Sequence, residues 1–159
     1  MAEFTHFDSE GNTHMVDVGN KADTKRIAVV KGHVKMQPET LAMITDGSAK
    51  KGDVFGVARL AGIMGAKQTA NLIPLCHPLG LDHINIEIEL DQTLPGVLIT
   101  ATCAVCGPTG VEMEAMTAVS TTALTIYDMC KSADRGMEIG CIRLTHKSGG
   151  KSGTYDAKQ

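Results

Sequence analysis

Gly110-Val-Glu-Met-Glu-Ala-Met-Thr-Ala-Val-Ser-Thr-Thr-Ala-Leu-Thr-Ile-Tyr-Asp-Met-Cys-Lys131 runs 22 residues without a proline or an internal glycine. The spacing predicts one helix, longer than the roughly 8–20 residues usual in a globular domain. Glu112 and Glu114 lie in its first turn and Lys131 in its last, each at the end whose dipole favours its charge. Between them the chain is almost uncharged. Ala115, Met116, Val119, Ala123, Ile126 and Cys130 follow helical spacing, while Ala118, Leu124, Tyr127 and Met129 carry apolar surface onto the other faces. A helix apolar all round is buried on more than one side. In a 159-residue chain that leads us to expect a neighbouring subunit over one face.

The same helix separates its polar ends. At about 1.5 Å per residue, Glu114 and Asp128 stand roughly 21 Å apart along the axis, though only about 40° apart around it. Asp128 and Lys131 are three apart and within reach of each other. One helix therefore cannot gather its acidic start and its Asp/Lys end around one small molecule. Either there are two sites, or the ends meet across a subunit boundary.

Outward from this segment, strict alternation over His83–Asp91 predicts a half-buried strand. Pro95-Gly96 turns it into a second strand, Val97–Cys106. Upstream, Ala28, Val30, Gly32, Val34 and Met36 alternate with Lys31, His33 and Lys35, a third strand over Arg26–Met36. Pro38 opens a short helix to about Thr45. Asp53 is placed to cap another, with Val54, Val57, Ala61 and Met64 as its apolar stripe, fading near Asn71. After the long helix, Glu138–Lys147 reads as a last strand whose apolar phase slips between Cys141 and Ile142, the mark of a bulge. The order β-α-α-β-β-α-β is α+β: a ferredoxin-like split βαβ plan with an antiparallel sheet and one extra helix. The expected division is a flexible polar arm over 1–20, one domain over 21–148, and a loose glycine- and lysine-bearing tail over 149–159.

Composition narrows the function. A net charge of −3 and a pI near 6.0 argue against a general nucleic-acid or membrane-surface binder. Aromatics at 3% leave few platforms for stacking single strands. No stretch approaches the roughly 18 apolar residues of a membrane span. No signal peptide is visible in the polar first 20 residues, and an odd count of five cysteines, scattered through core segments, suggests a reducing cytoplasm.

Several motifs invite chemistry. Cys103-Ala-Val-Cys106 is discounted as a metal site, because residues three apart on a strand point to opposite faces and no second pair completes four ligands. Gly150-Lys151-Ser152 resembles the end of a phosphate-binding loop but has Thr145 where glycine is required, and no helix follows. Cys76-His77, held between Pro74 and Pro78, could be a nucleophile with its base, a metal pair or a structural element. Asp128 and Lys131 could be an exposed ion pair or an acid/base pair. Lys50, Lys51, Lys147 and Lys151 in glycine-bearing loops, with Lys21 and Arg26, are enough cations for a triphosphate if folding or assembly gathers them.

The segments Lys51-Gly-Asp-Val54, Ala58-Arg-Leu-Ala-Gly-Ile63, Leu72-Ile-Pro-Leu-Cys-His-Pro-Leu79, Gly110-Val-Glu-Met-Glu-Ala115 and Leu124-Thr-Ile-Tyr-Asp-Met-Cys-Lys131, with the Lys147-Ser-Gly-Gly150 tail, closely resemble the cyclic pyranopterin monophosphate synthase family of molybdenum cofactor biosynthesis. The resemblance runs from about residue 15 to the end. It implies a ferredoxin-like subunit in a homohexamer, a trimer of dimers with sites at dimer interfaces. It also implies a lyase that converts 3',8-cyclo-7,8-dihydroguanosine 5'-triphosphate to cyclic pyranopterin monophosphate with release of diphosphate. Carried over by position, Asp128, Lys131, Lys51 and Glu112 would be catalytic. Leu75, Cys76, His77, Met113 and Glu114 would line the substrate pocket, and Lys21, Arg26, Lys147 and Lys151 would hold phosphate. Gly19, where the family pattern has serine, and Ile63–Ala66 depart from it; neither touches a proposed catalytic position. Proton transfers at several ring heteroatoms call for both carboxylate and ammonium groups, and a lysine near other cations would have its pKa depressed towards the working range. No carboxylate cluster marks a metal site; a magnesium ion travelling with the phosphates is the one cofactor the chemistry leaves open. The competing class is a non-catalytic, oligomeric ligand-sensing module of the same fold, separated from an enzyme by turnover.

Overall fold

The computed structural model describes residue 6 and residues 10–158, so part of the arm expected over 1–20 lies outside the described residues. Five strands form one antiparallel sheet: β1 (Thr24–Lys35), β2 (His83–Asp91), β3 (Gly96–Gly107), β4 (Glu138–Ser148) and β5 (Tyr155–Asp156), in the order β2-β3-β1-β4-β5. Among the described residues four helices accompany it: α1 (Pro38–Thr45), α2 (Val54–Lys67), the single turn α3 (Thr69–Leu72) and α4 (Glu112–Cys130).

The strands follow from their alternation. Ala28, Val30 and Val34 are buried on the face of β1 that looks towards α4, as the period of two requires, and Met36 just past its end is buried too. On β3, Val97, Ile99, Ala101, Cys103 and Val105 fill the same layer, while Cys106 is exposed, so the two cysteines of the Cys-x-x-Cys run do face opposite ways. The expected bulge is present. Gly140 pairs with His33 and Arg143 with Lys31, leaving Cys141 and Ile142 opposite Gly32, and Cys141 takes a positive φ of 50°. Gly32 is required there, since a Cβ would stand 2.8 Å from the Val119 side chain and 2.9 Å from that of Ile142.

The Asp53 carboxylate accepts a hydrogen bond from the Gly56 amide at 2.9 Å and so caps α2 as its position predicts. Of the stripe expected on that helix only Val54 is buried. Val57 and Met64 are exposed and Ala61 is only half-buried; the buried face is Val54, Ala58, Gly62, Gly65 and Ala66. Small residues face inward because α2 lies close against α4: a Cβ on Gly62 would come within 2.1 Å of Thr122 Oγ1, and one on Gly65 within 2.4 Å of Thr121 Oγ1. This also accounts for much of the apolar circumference of α4. Its Ala115, Ala118, Val119, Thr122, Ala123 and Ile126 are buried between the sheet and α2 of the same chain, so those faces need no second subunit. Leu124 stays exposed, as do Leu60 and Leu72 in the neighbouring α2 and α3.

Candidate active site

Each end of α4 carries its own group of polar side chains. At the start, the rigid Pro74–Pro78 loop brings Leu75, Cys76 and His77 against Glu112, Met113 and Glu114, around a cavity of about 280 Å³. His6, Val16, Val18 and Lys21 from the amino-terminal arm, Leu79, and the Thr109-Gly110 turn complete its lining. His77 Nε2 lies 2.8 Å from the Val16 carbonyl oxygen. Glu114 is only 4% exposed, and burial, with a smaller contribution from the Glu112 charge, raises its pKa above the usual carboxylate range. Burial, and secondarily Glu114, pushes the Cys76 thiol up; the buried Cys103 is pushed up to about 12 for the same two reasons. Cys76 is therefore a thiol at neutral pH, which suits packing or hydrogen bonding better than attack.

Beside this cavity lies a cationic rim. Lys21 and the Thr109-Gly110 turn also border a second hollow, lined further by Arg26, Lys151 and Ser152. The Arg26 guanidinium donates through Nε to the Gly107 carbonyl at 2.9 Å and through Nη2 to the Pro108 carbonyl at 3.0 Å, so it braces the turn that leads into α4. Lys147 lies on the other side, on β4, where it shares a hollow with Glu112 and hydrogen-bonds to Ser152.

At the far end of α4, Lys51 reaches Asp128 from 77 positions away. Its Nζ donates to the Asp128 carbonyl oxygen at 2.9 Å and approaches Oδ2 at 3.2 Å, while Lys131 Nζ stands 2.6 Å from Oδ1. Hydrogen bonds from Lys131, then Lys51, hold the Asp128 carboxyl below its usual range. The same contact raises the Lys131 pKa, so the depressed lysine expected from sequence is not found there; a carboxylate, not a second cation, dominates its surroundings. All three side chains are about half exposed.

Asp134 was not singled out from sequence. It is buried, and its carboxylate accepts from the Gln37 amide at 2.8 Å, from Thr40 Oγ1 at 3.4 Å and from the Gly136 amide at 2.9 Å, tying the end of α4 to the start of α1. The signal was slight: one carboxylate ahead of a glycine. Val16 and Val18 were missed as well, although apolar residues two apart in a polar arm are what an extended segment laid against the body would show.

The thirteen residues expected at the site thus fall into separate groups within one chain: Lys51, Asp128 and Lys131 at one end of α4, and the others around the other end. Among the described residues no group of three or more His, Cys, Asp or Glu is placed to hold a metal ion, and no helix is long and apolar enough to cross a membrane.

Fold and site together define an α+β domain with an antiparallel sheet and a cation-rimmed pocket at the start of its longest helix. The chain belongs to the MoaC family, whose model matches residues 15–150. It is 60% identical to the cyclic pyranopterin monophosphate synthase of Cereibacter sphaeroides over 157 residues, 99% of each chain. It is also 60% identical to that of Dinoroseobacter shibae over 158 residues, 99% of this chain and all of the relative.

Proposed function

We infer that this chain is a cyclic pyranopterin monophosphate synthase of molybdenum cofactor biosynthesis, converting 3',8-cyclo-7,8-dihydroguanosine 5'-triphosphate to cyclic pyranopterin monophosphate with release of diphosphate. Near-full-length identity to relatives named for that activity carries the reading. The geometry supports it through the convergence of Lys51 and Lys131 on Asp128, a carboxylate acceptor and ammonium donors within hydrogen-bond reach, as several proton transfers require. Lys21, Arg26, Lys147 and Lys151 would receive the triphosphate and offset the charge that grows as diphosphate leaves. Leu75, Cys76, His77, Met113 and Glu114 would hold the ring system, with Glu112 between ring and phosphates.

The same proposal places the site across a subunit boundary. One helix holds the two polar groups apart, and a partner could bring its Lys51–Asp128–Lys131 end to the pocket. We take the assembly to be a hexamer, a trimer of dimers. The exposed Leu60, Leu72 and Leu124 support burial against another copy. The strand order β2-β3-β1-β4 supports the ferredoxin-like reading, with β5 as an added edge. In this scheme 21–148 is the catalytic body, 1–20 the arm, and 149–159 the tail, whose Tyr155–Asp156 pairs with β4 as β5. Five free cysteines support a reducing, cytoplasmic setting.

The test is to incubate the purified chain with the cyclised nucleotide and to measure diphosphate together with the fluorescence of the oxidised pterin. Both should appear in step. Absence of both from folded, assembled protein would overturn the assignment.

A further inference from the structure

The arm before β1 does more than border the pocket. Asp17 Oδ1 accepts a hydrogen bond from the Gly19 amide at 2.8 Å, and the Lys21 amide donates to the Val18 carbonyl at 3.0 Å. These two turns curl the segment so that Val16 and Val18 are half-buried while the other described residues of the arm are exposed. The curl delivers the Val16 carbonyl to His77 Nε2 at 2.8 Å and Lys21 to the pocket lining. A carbonyl oxygen can only accept, so Nε2 must carry the proton in this contact. In the neutral ring the other nitrogen is then an acceptor. Nδ1 makes no hydrogen bond among the described residues.

We propose that the Val16–Lys21 segment is a positioning element of the site: through the Val16 carbonyl it fixes His77 as the Nε2–H tautomer, so that Nδ1 is the acceptor available to an N–H or O–H donor on the bound nucleotide. This rests on the reading of the pocket as the substrate site. Without the carbonyl, the imidazole would divide between two tautomers, and one of them offers the ligand a donor where an acceptor is needed. The arm couples two functions, because the segment that selects the tautomer also carries Lys21 into the pocket. A bound ligand and an ordered arm therefore favour each other.

The tautomer is measured directly in the intact protein. With 15N-labelled histidine, at a pH where the ring is neutral, the His77 signals are assigned by their loss in His77→Gln. We expect the proton on Nε2 and an unprotonated Nδ1; a proton on Nδ1, or an averaged signal, would overturn the proposal. Asp17→Ala then removes the first turn at an exposed position. It should bring the second tautomer into view and lower kcat with the nucleotide substrate by about tenfold or more, the scale on which small misplacements act, with Tm unmoved. An unchanged tautomer and unchanged kcat in Asp17→Ala would also overturn it. Wild-type protein that shows the Nε2–H signature, and loses it in Asp17→Ala, without any turnover would support the arm's hold on His77 and count against the assigned activity alone.

Discussion

Replacing Gly62 by alanine tests the packing of α2 against α4, the helix that carries a polar group at each end. In an exposed helix this change stabilises by up to about 1 kcal/mol, because glycine leaves the unfolded chain more freedom. Gly62 is not exposed. A Cβ there would stand 2.1 Å from Thr122 Oγ1, 2.4 Å from Ile86 Cδ1 and 3.0 Å from the Ala118 carbonyl oxygen. The Thr122 hydroxyl cannot simply turn away, since it is fully buried and donates to that same Ala118 carbonyl at 2.8 Å. Breaking this bond costs about 1 kcal/mol, and more if the hydroxyl finds no new partner. If α2 moves off α4 instead, overpacking costs about 1–3 kcal/mol. After the helix-propensity gain, the net loss should be about 1 kcal/mol, or roughly 2–4 °C in Tm for a domain of this size. Calorimetry at one fixed protein concentration reads the shift without interference from assembly. Adding Thr122→Ala should make the double variant less costly than the two separate changes summed, because the nearest obstructing atom is gone. A rise in Tm for Gly62→Ala would refute the close α2–α4 contact.

Three further outcomes follow from the site. Lys131→Ala should lower turnover by at least about a hundredfold while Tm barely changes, since its ion pair is exposed; mixing and reassembling this protein with Glu114→Ala should restore activity, and no recovery despite proven subunit exchange would sink the shared site. Cys76→Ser should retain measurable turnover, because burial keeps the sulfur a thiol; a covalent substrate adduct at Cys76 would force a thiolate mechanism. Glu114 has a folded pKa above its unfolded one, so the native state holds a proton that the unfolded chain has released. Its contribution to stability therefore falls as pH rises from the ordinary carboxylate range through the raised pKa. Glu114→Gln should lose that slope and be the more stable protein at neutral pH, as read from denaturant midpoints; an unchanged slope would refute a raised Glu114.

Much of the chain's local structure was legible because its physical cause is local. Strand β2 spans the His83–Asp91 that alternation marked, and Pro38 opens α1 where its fixed φ favours a first helical turn. The slip of phase at Cys141-Ile142 announced its bulge, since one extra residue in a period of two must reverse the faces. The face of α2 was misread for a physical reason. Where two helices approach closely the contact belongs to Gly62, Gly65 and Ala58, and these carry little hydrophobic signal, whereas Val57 and Met64 carry much and face outward. The separation of the two polar groups was also legible: a helix rises about 1.5 Å per residue, so Glu114 and Asp128 could never share a small cavity within one chain. What the sequence by itself could not determine was which distant segments arrive at each end. Lys51 meets Asp128, Asp134 binds the start of α1, and the Val16 carbonyl finds His77 across 61 positions. Those meetings are set by how α1, α2 and the sheet stack, because a hydrogen bond's partner is fixed by distance in space and leaves no period along the chain.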